Sequence, residues 1–193
     1  MAAVRAAMGL EGWSAHWVCS VADGKLGYSG VATLVRPSLG APLSVTHGVG
    51  NPDHDEEGRV VTVELPDCFV VNVYVPNSGT RWRCGVARDT RLRAVAPNPT
   101  PIRARTPRTL AGEKLKRLEY RTQRFDRDFA AHVAALQARK PVVVAGDMNC
   151  AREPIDIHNA RRNQTSAGFT EQERANFQMV RGAGGHACAP VTA

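Results

Sequence analysis

No apolar run in the 193 residues approaches the roughly 20 that a membrane-spanning helix needs. The first residues do not pair a basic flank with an apolar core and a small-residue cleavage site, so no secretory leader is read there. CxxC pairs are absent too. The five cysteines (Cys19, Cys68, Cys84, Cys150 and Cys188) are scattered, which argues against a zinc site or a disulfide framework and suits reduced thiols in an intracellular protein. Acid is nearly missing from Thr80 to Gly112, where eight arginines face the single Asp89. That segment alone accounts for a charge of about +7, equal to the formal charge of the whole chain. The basic pI of 9.6 therefore belongs to one segment and says little about the folded part.

What is present is the length of one ordinary domain, with 43% hydrophobic residues. Gly27 to Arg36, Gly58 to Leu65 and Cys68 to Asn77 are rich in Val, Thr, Leu and aromatic residues and predict strands. Pro66-Asp67 predicts a tight hairpin between the last two. The segment 81–112 lacks periodicity and is Pro- and Arg-rich, which predicts a weakly ordered excursion. Leu118, Phe125, Phe129, Val133 and Leu136 then fall on one face of a helix predicted over 115–140. "PVVVAGDMN" reads as a short strand buried on both faces, and Thr170 with Glu173 has capping-box spacing at the start of a last helix. Beyond Val180 no core pattern is visible. Strands, helix, buried strand and helix in that order predict a layered α/β domain.

Chemistry concentrates in "VVVAGDMNCAREPIDIHN". Period-two alternation puts Asp147 and Asn149 on one side of the strand end, where ligands gather in α/β sheets. A carboxylate there can orient and deprotonate a water, and a primary amide can donate to a phosphate oxygen. The pairing suits phosphodiester hydrolysis; a Gly-Asp-x-Asn turn closing a loop is the other reading. A calcium loop is excluded, because Ala151 and Arg152 stand where an oxygen ligand and a glycine are required. Tyr74 and Asn77, beside Pro76, form a second pair at a strand end, either facing the same site or serving as a buried Tyr and a turn Asn. Asn159 and Asn163 flank Arg161 and Arg162 and suit a nucleic-acid backbone or a solvated loop. His54, Asp55, Glu56 and Glu57 read as a solvated acidic loop in preference to a metal cluster.

Six ordered segments, "GYSGVA", "HDEEGRVVTVEL", "VVNVYVPNSG", "LKRLEYRTQRFDRDF", "KPVVVAGDMNCAREPIDIHN" and "AGFTEQER", resemble the exonuclease III-type apurinic/apyrimidinic endonucleases. These belong to the endonuclease/exonuclease/phosphatase superfamily. The resemblance implies a four-layer α/β sandwich, two packed β-sheets flanked by helices, present here in part over residues 1–180. A basic insert at 80–112 interrupts it and an unpatterned tail, 181–193, follows. It further implies a monomeric nuclear or organellar repair enzyme, with no membrane role, that uses Mg²⁺ (or Mn²⁺) to cut duplex DNA on the 5′ side of abasic sites. By position, Asp147 would activate the water and, with Asn149, face the metal and the scissile phosphate. Tyr74 and Asn77 would contact that phosphate or its neighbours. Asn159 and Asn163 would grip the backbone, Gly27 and Tyr28 would touch the strand near the lesion, and Arg59 would tie the site from behind.

Several family motifs do not occur in these 193 residues: an N-x-N-G strand, a Gln-Glu pair whose Glu is the principal metal ligand, W-R-x-D-Y, and the S-D-H motif with the catalytic His. His186 lies in the tail and is no substitute. The expectation is half a site, a poor enzyme or none, with insert and tail read as artefacts of an incomplete gene product. The competing readings are a phosphodiesterase of the same superfamily acting on a lipid or inositol phosphate, and a non-catalytic nucleic-acid-binding remnant.

Overall fold

The computed structural model describes residues 9–21, 27–79 and 115–182. The expectations for the basic insert, for His186 and for most of the tail fall outside these residues. Within them, β1 (Ser14–Cys19) and β2 (Gly30–Val35) pair antiparallel as a two-stranded sheet. A second sheet runs in the order β3 (Ser44–His47), β4 (Val60–Glu64), β5 (Phe69–Tyr74) and β6 (Val142–Asp147). Its first three strands are antiparallel neighbours, whereas β5 and β6 are parallel.

Two apolar clusters separate the layers. Between the sheets lie Val35, Val61 and Val63, with Val18, Val31, Val45 and Leu65 packed around them. Asn72 bridges the same gap, donating from Nδ2 to Ala32 O at 2.8 Å. On the opposite face of the larger sheet, Val60, Phe69, Val71, Val73 and Val75 meet Phe125, Phe129, Val133 and Leu136. Each fully buried Val, Leu or Phe contributes about 1.5–3 kcal/mol, so this cluster is the main anchor of the helical layer. Two packed sheets with helices outside one of them match the expected sandwich in part. Trp17 and Leu34, on the smaller sheet, remain exposed among the described residues.

The long helix begins with a widened turn, Tyr120–Phe125, and continues as α2 (Asp126–Gln137); α1 is the short Pro52–Asp55 helix. Four-residue steps bring Arg121, Phe125, Phe129 and Val133 to one buried face, as helical spacing requires. At the wide turn, Thr122 O accepts from Asn176 Nδ2 at 2.6 Å, which satisfies a backbone oxygen there. Turns of this kind recur at functional sites. The last helices are α3 (Ala160–Asn163) and α4 (Glu171–Gly182). The capping box holds: Thr170 N donates to Glu173 Oε2 at 3.0 Å, and Glu173 N donates back to Thr170 Oγ1 at 3.3 Å. The helix runs on through Gly182, two residues past the expected end of pattern.

Two expectations are corrected. β6 is not buried on both faces: among the described residues it is the edge of its sheet, and Val143 is 52% exposed. Its continuous apolar run was the signal, but the two-stranded sheet packs mainly over β4 and β5. Nor is 54–57 a solvated acidic loop. His54 is 1% exposed, set between Tyr120 Oη at 3.0 Å and Asp128 Oδ2 at 2.9 Å. Glu57 is buried too, and Asp55 accepts the backbone N–H groups of Val49 and Gly50.

Gly146 has φ 129°, and a Cβ there would lie 2.0 Å from Val73 O. Only glycine lets β6 approach β5 this closely. Gly146→Ala is expected to destabilise the chain by about 2–3 kcal/mol, read as a lower urea midpoint. Asp126 gives a pH signature: burial pushes its carboxyl from 3.8 up to about 6, opposed by Arg121 and Asn176. The folded chain therefore binds this proton more tightly than the unfolded chain. Its stabilising effect is full below about pH 4 and is lost as pH rises through about 6. Asp126→Asn, which mimics the neutral acid, should raise the melting temperature at pH 7.5 and leave it nearly unchanged at pH 4. The gain at pH 7.5 should be on the order of 2 kcal/mol.

Candidate active site

Parallel pairing of β5 with β6 sets Tyr74 directly opposite Asp147 in register. The chain leaves both strands at their carboxyl ends, where the two loops 75–79 and 148–150 run side by side. Val75 N donates to Asp147 O at 2.9 Å and extends the pairing by one bond. The two loops are then stitched by amides. Asn77 Nδ2 donates to Asn149 Oδ1 at 3.0 Å, and Asn149 Nδ2 donates to Val75 O at 2.9 Å.

Asn149 reaches this place by a turn and not by strand alternation. The strand stops at Asp147, and Asn149 adopts φ 45°, a left-handed conformation that Asn tolerates better than most residues. Its backbone N–H donates to Asp147 Oδ1 at 2.9 Å. The turn reading of Gly-Asp-x-Asn describes this structure. Asp147 remains exposed, and among the described residues no hydrogen bond is found to its second oxygen. Asn77 Oδ1 is taken by Gly79 N at 2.8 Å, leaving amide hydrogens of Asn77 and Asn149 as the donors on offer.

Behind Tyr74 stands a charged platform. The buried Glu57 carboxylate accepts Arg59 Nε at 2.6 Å and Arg117 Nη2 at 2.8 Å. Arg59 lies between two rings, its guanidinium carbon 5.4 Å from the Tyr28 centroid and 5.1 Å from that of Tyr74. Arg59 Nη1 also donates to Tyr74 O at 2.9 Å, and Arg117 Nη1 to Tyr28 Oη at 2.9 Å. Tyr28 is thereby brought to the same wall as Tyr74, with Gly27 (φ 71°) immediately before it. Burial, with Glu57 adding to it, pushes the neighbouring Tyr120 phenol up to about 12.

Asn159 and Asn163 form a separate turn. Asn159 is exposed with φ 54°. Asn163 Nδ2 donates to His158 O at 2.7 Å, and its Oδ1 accepts Ser166 Oγ at 3.1 Å. The turn meets the Asp147 loop through Ala151 N and Gly168 O at 2.8 Å. The structure therefore joins Tyr74, Asn77, Asp147 and Asn149 directly, Tyr28 through Arg59, and Asn159 and Asn163 through this backbone link. Sequence reading missed Ser78, on the first loop, and Arg121 and Glu173, all three of them buried. The capping box pointed to Glu173 but assigned it a single local task.

Among the described residues, no group of three His, Cys, Asp or Glu side chains is placed to hold a metal ion. What the arrangement offers is one solvated carboxylate beside amide donors, a set that can orient a water and hold an anionic oxygen.

Comparison with known proteins bears on the family and the fold. Residues 2–190 match the Endonuclease/Exonuclease/phosphatase family. The DNA repair nuclease APEX1 of Danio rerio is 38% identical over 169 residues, 88% of this chain and 42% of that protein. An exodeoxyribonuclease of Bacillus subtilis is 33% identical over 174 residues, 90% of this chain and 53% of that protein. In fold, the chain is similar to an AP endonuclease from Archaeoglobus fulgidus, with TM-score 0.58 and 20% identity over 92% of this chain and 53% of that one. It is also similar to a Neisseria 3′ phosphatase bound to a product DNA hairpin, with TM-score 0.63 and 22% identity over 93% and 54%. The chain spans about half the length, or less, of these proteins. With a family match over nearly its whole length, the chain belongs to the endonuclease/exonuclease/phosphatase family.

Proposed function

We propose that this chain supplies the phosphate-facing part of a DNA-repair endonuclease that hydrolyses the phosphodiester 5′ to abasic sites in duplex DNA. The observation that carries the reading is the interlocked Asn77–Asn149 pair beside the solvated Asp147 at the ends of two parallel strands. Asp147 would take a proton from, or orient, the attacking water, while the amides of Asn77 and Asn149 donate to non-bridging phosphate oxygens. Tyr74 and Tyr28, braced by Arg59, would line the approach of the strand. Asn159 with Asn163 would hold backbone further along. The relatives named for DNA repair and abasic-site cleavage favour DNA over a lipid or inositol phosphate. On this reading the protein acts as a monomer in the nucleus, or in an organelle of a eukaryotic cell.

Divalent metals generally serve this family. The described residues do not fit such an ion by themselves: Asp147 already spends one oxygen on Asn149 N, and Mg²⁺ (or Mn²⁺) wants octahedral oxygens usually including one or two carboxylates. The proton work of Asp147 and the donor work of the amides would then proceed without neutralising charge on the phosphate. The 193-residue chain is accordingly proposed to bind duplex DNA and to cleave poorly or not at all.

The test is a chimera that extends this chain with the parts of the Danio rerio relative outside the matched 169 residues. With Mg²⁺ it should nick a duplex carrying one abasic-site analogue, on the 5′ side, while the 193-residue chain stays at background. Asp147→Asn in the chimera should lower nicking by about 10²–10⁴-fold and leave duplex affinity largely intact. A silent chimera, or a mutant that nicks like its parent, would sink the assignment. Chelator-sensitive turnover by the 193-residue chain would show that its own residues complete the site.

A further inference from the structure

Arg121 and Glu173 are both charged and both buried, at 2% and 0% exposure, directly beneath the two loops of the candidate site. Arg121 Nη1 donates to Glu173 Oε1 at 2.8 Å and to Asn149 O at 2.7 Å. Its Nη2 donates to Met148 O at 2.9 Å. One guanidinium fork therefore grips two successive carbonyls of the segment that carries Asp147 and Asn149. Glu173 holds the other side: Ser78 Oγ, from the residue after Asn77, donates to Glu173 Oε1. The same carboxylate accepts Gly168 N at 2.9 Å and Thr170 Oγ1 at 2.7 Å.

Desolvating an ion pair is costly, and an apolar pair of similar volume is often at least as stable at such a position. Stability is therefore a weak reason for these two residues to be charged. Their donors and acceptors point to a better one. Arg121 fixes the carbonyl of a residue in left-handed backbone, and Glu173 fixes the neighbour of the other amide donor. Apolar side chains would hold neither loop at hydrogen-bonding precision.

We propose that Arg121 and Glu173 are positioning residues: a buried clamp that sets the spacing of the Asn77 and Asn149 amides by tying both loops to one ion pair. The phosphate-binding role of those amides rests on the function proposed above; the clamp itself does not. Its acceptors and donors span the wide turn before α2, the loops after β5 and β6, and the N-terminus of α4. The site is thus assembled only when all four are docked. Arg121 touches no reacting atom and acts through Met148 O and Asn149 O.

The experiment uses the ¹⁵N-labelled 193-residue chain and reads water exchange of the Asn77 and Asn149 side-chain amides, with the backbone amides of Val61, Val71 and Val73 as a fold control. Arg121→Lys keeps the charge and loses the fork; it should speed exchange of both side-chain amides at least about tenfold while the core amides keep their protection. Ser78→Ala removes a single tie and should speed Asn77 alone. It decides the matter if Arg121→Lys does not fold. Side-chain amides that stay protected in folded variants would overturn the clamp, as would core amides that lose protection in step with them. Affinity for an abasic duplex, measured on the same samples, separates the two proposals. Faster exchange with no duplex binding by any sample, parent included, would leave the clamp standing and remove the DNA reading.

Discussion

The parallel pairing of β5 with β6 is the constraint on which the rest of the structure depends. It alone sets Tyr74 against Asp147 and sends two loops off in the same direction from adjacent strands. Parallel neighbours need a long crossover, and here the crossover ends in the helix whose Phe125, Phe129 and Val133 cover β5. The same pairing thus serves both the core and the placement of the loops. The glycine at 146 is the local condition for it, since any side chain would strike the Val73 carbonyl.

Charge is distributed in two buried tiers around this pairing. One tier, Glu57 with Arg59 and Arg117, props the tyrosine wall from the β4 side. The other, Arg121 with Glu173, holds the loop backbones from the helix side. Each carboxylate is satisfied by several donors, which makes burial of the charges tolerable. Asp126, beside Arg121 but with burial dominating, is the exception, its carboxyl pushed up to about 6.

Much of the architecture was legible in the sequence because periodicity reports burial. β4 and β5 followed from β-branched and aromatic runs, α2 from apolar steps of three, four and seven, and the start of α4 from Thr170 and Glu173. Other features were not legible, for physical reasons. The apolar run of β6 reads the same whether or not a second layer covers it, so its edge position was hidden. Asp147 and Asn149 came together through a left-handed turn, which no alternation rule encodes. His54, Arg121 and Glu173 are polar residues whose burial is decided by partners far along the chain, such as Asp128 and the loop carbonyls. The placement of Tyr74 beside Asp147 needed only strand ends, while the underlying clamp needed tertiary structure.

The central claim is that the amides of Asn77 and Asn149 together receive a DNA phosphate beside Asp147. The most direct measurement is a ¹H–¹⁵N titration of the chain with a duplex bearing one abasic-site analogue, following the side-chain amides of both asparagines. The account predicts that the two pairs of resonances shift together along one saturation curve, and that this curve moves to higher DNA concentration as salt is raised. Saturable binding that leaves both asparagine side chains unshifted, with perturbations confined to other arginine-bearing surfaces, would contradict it.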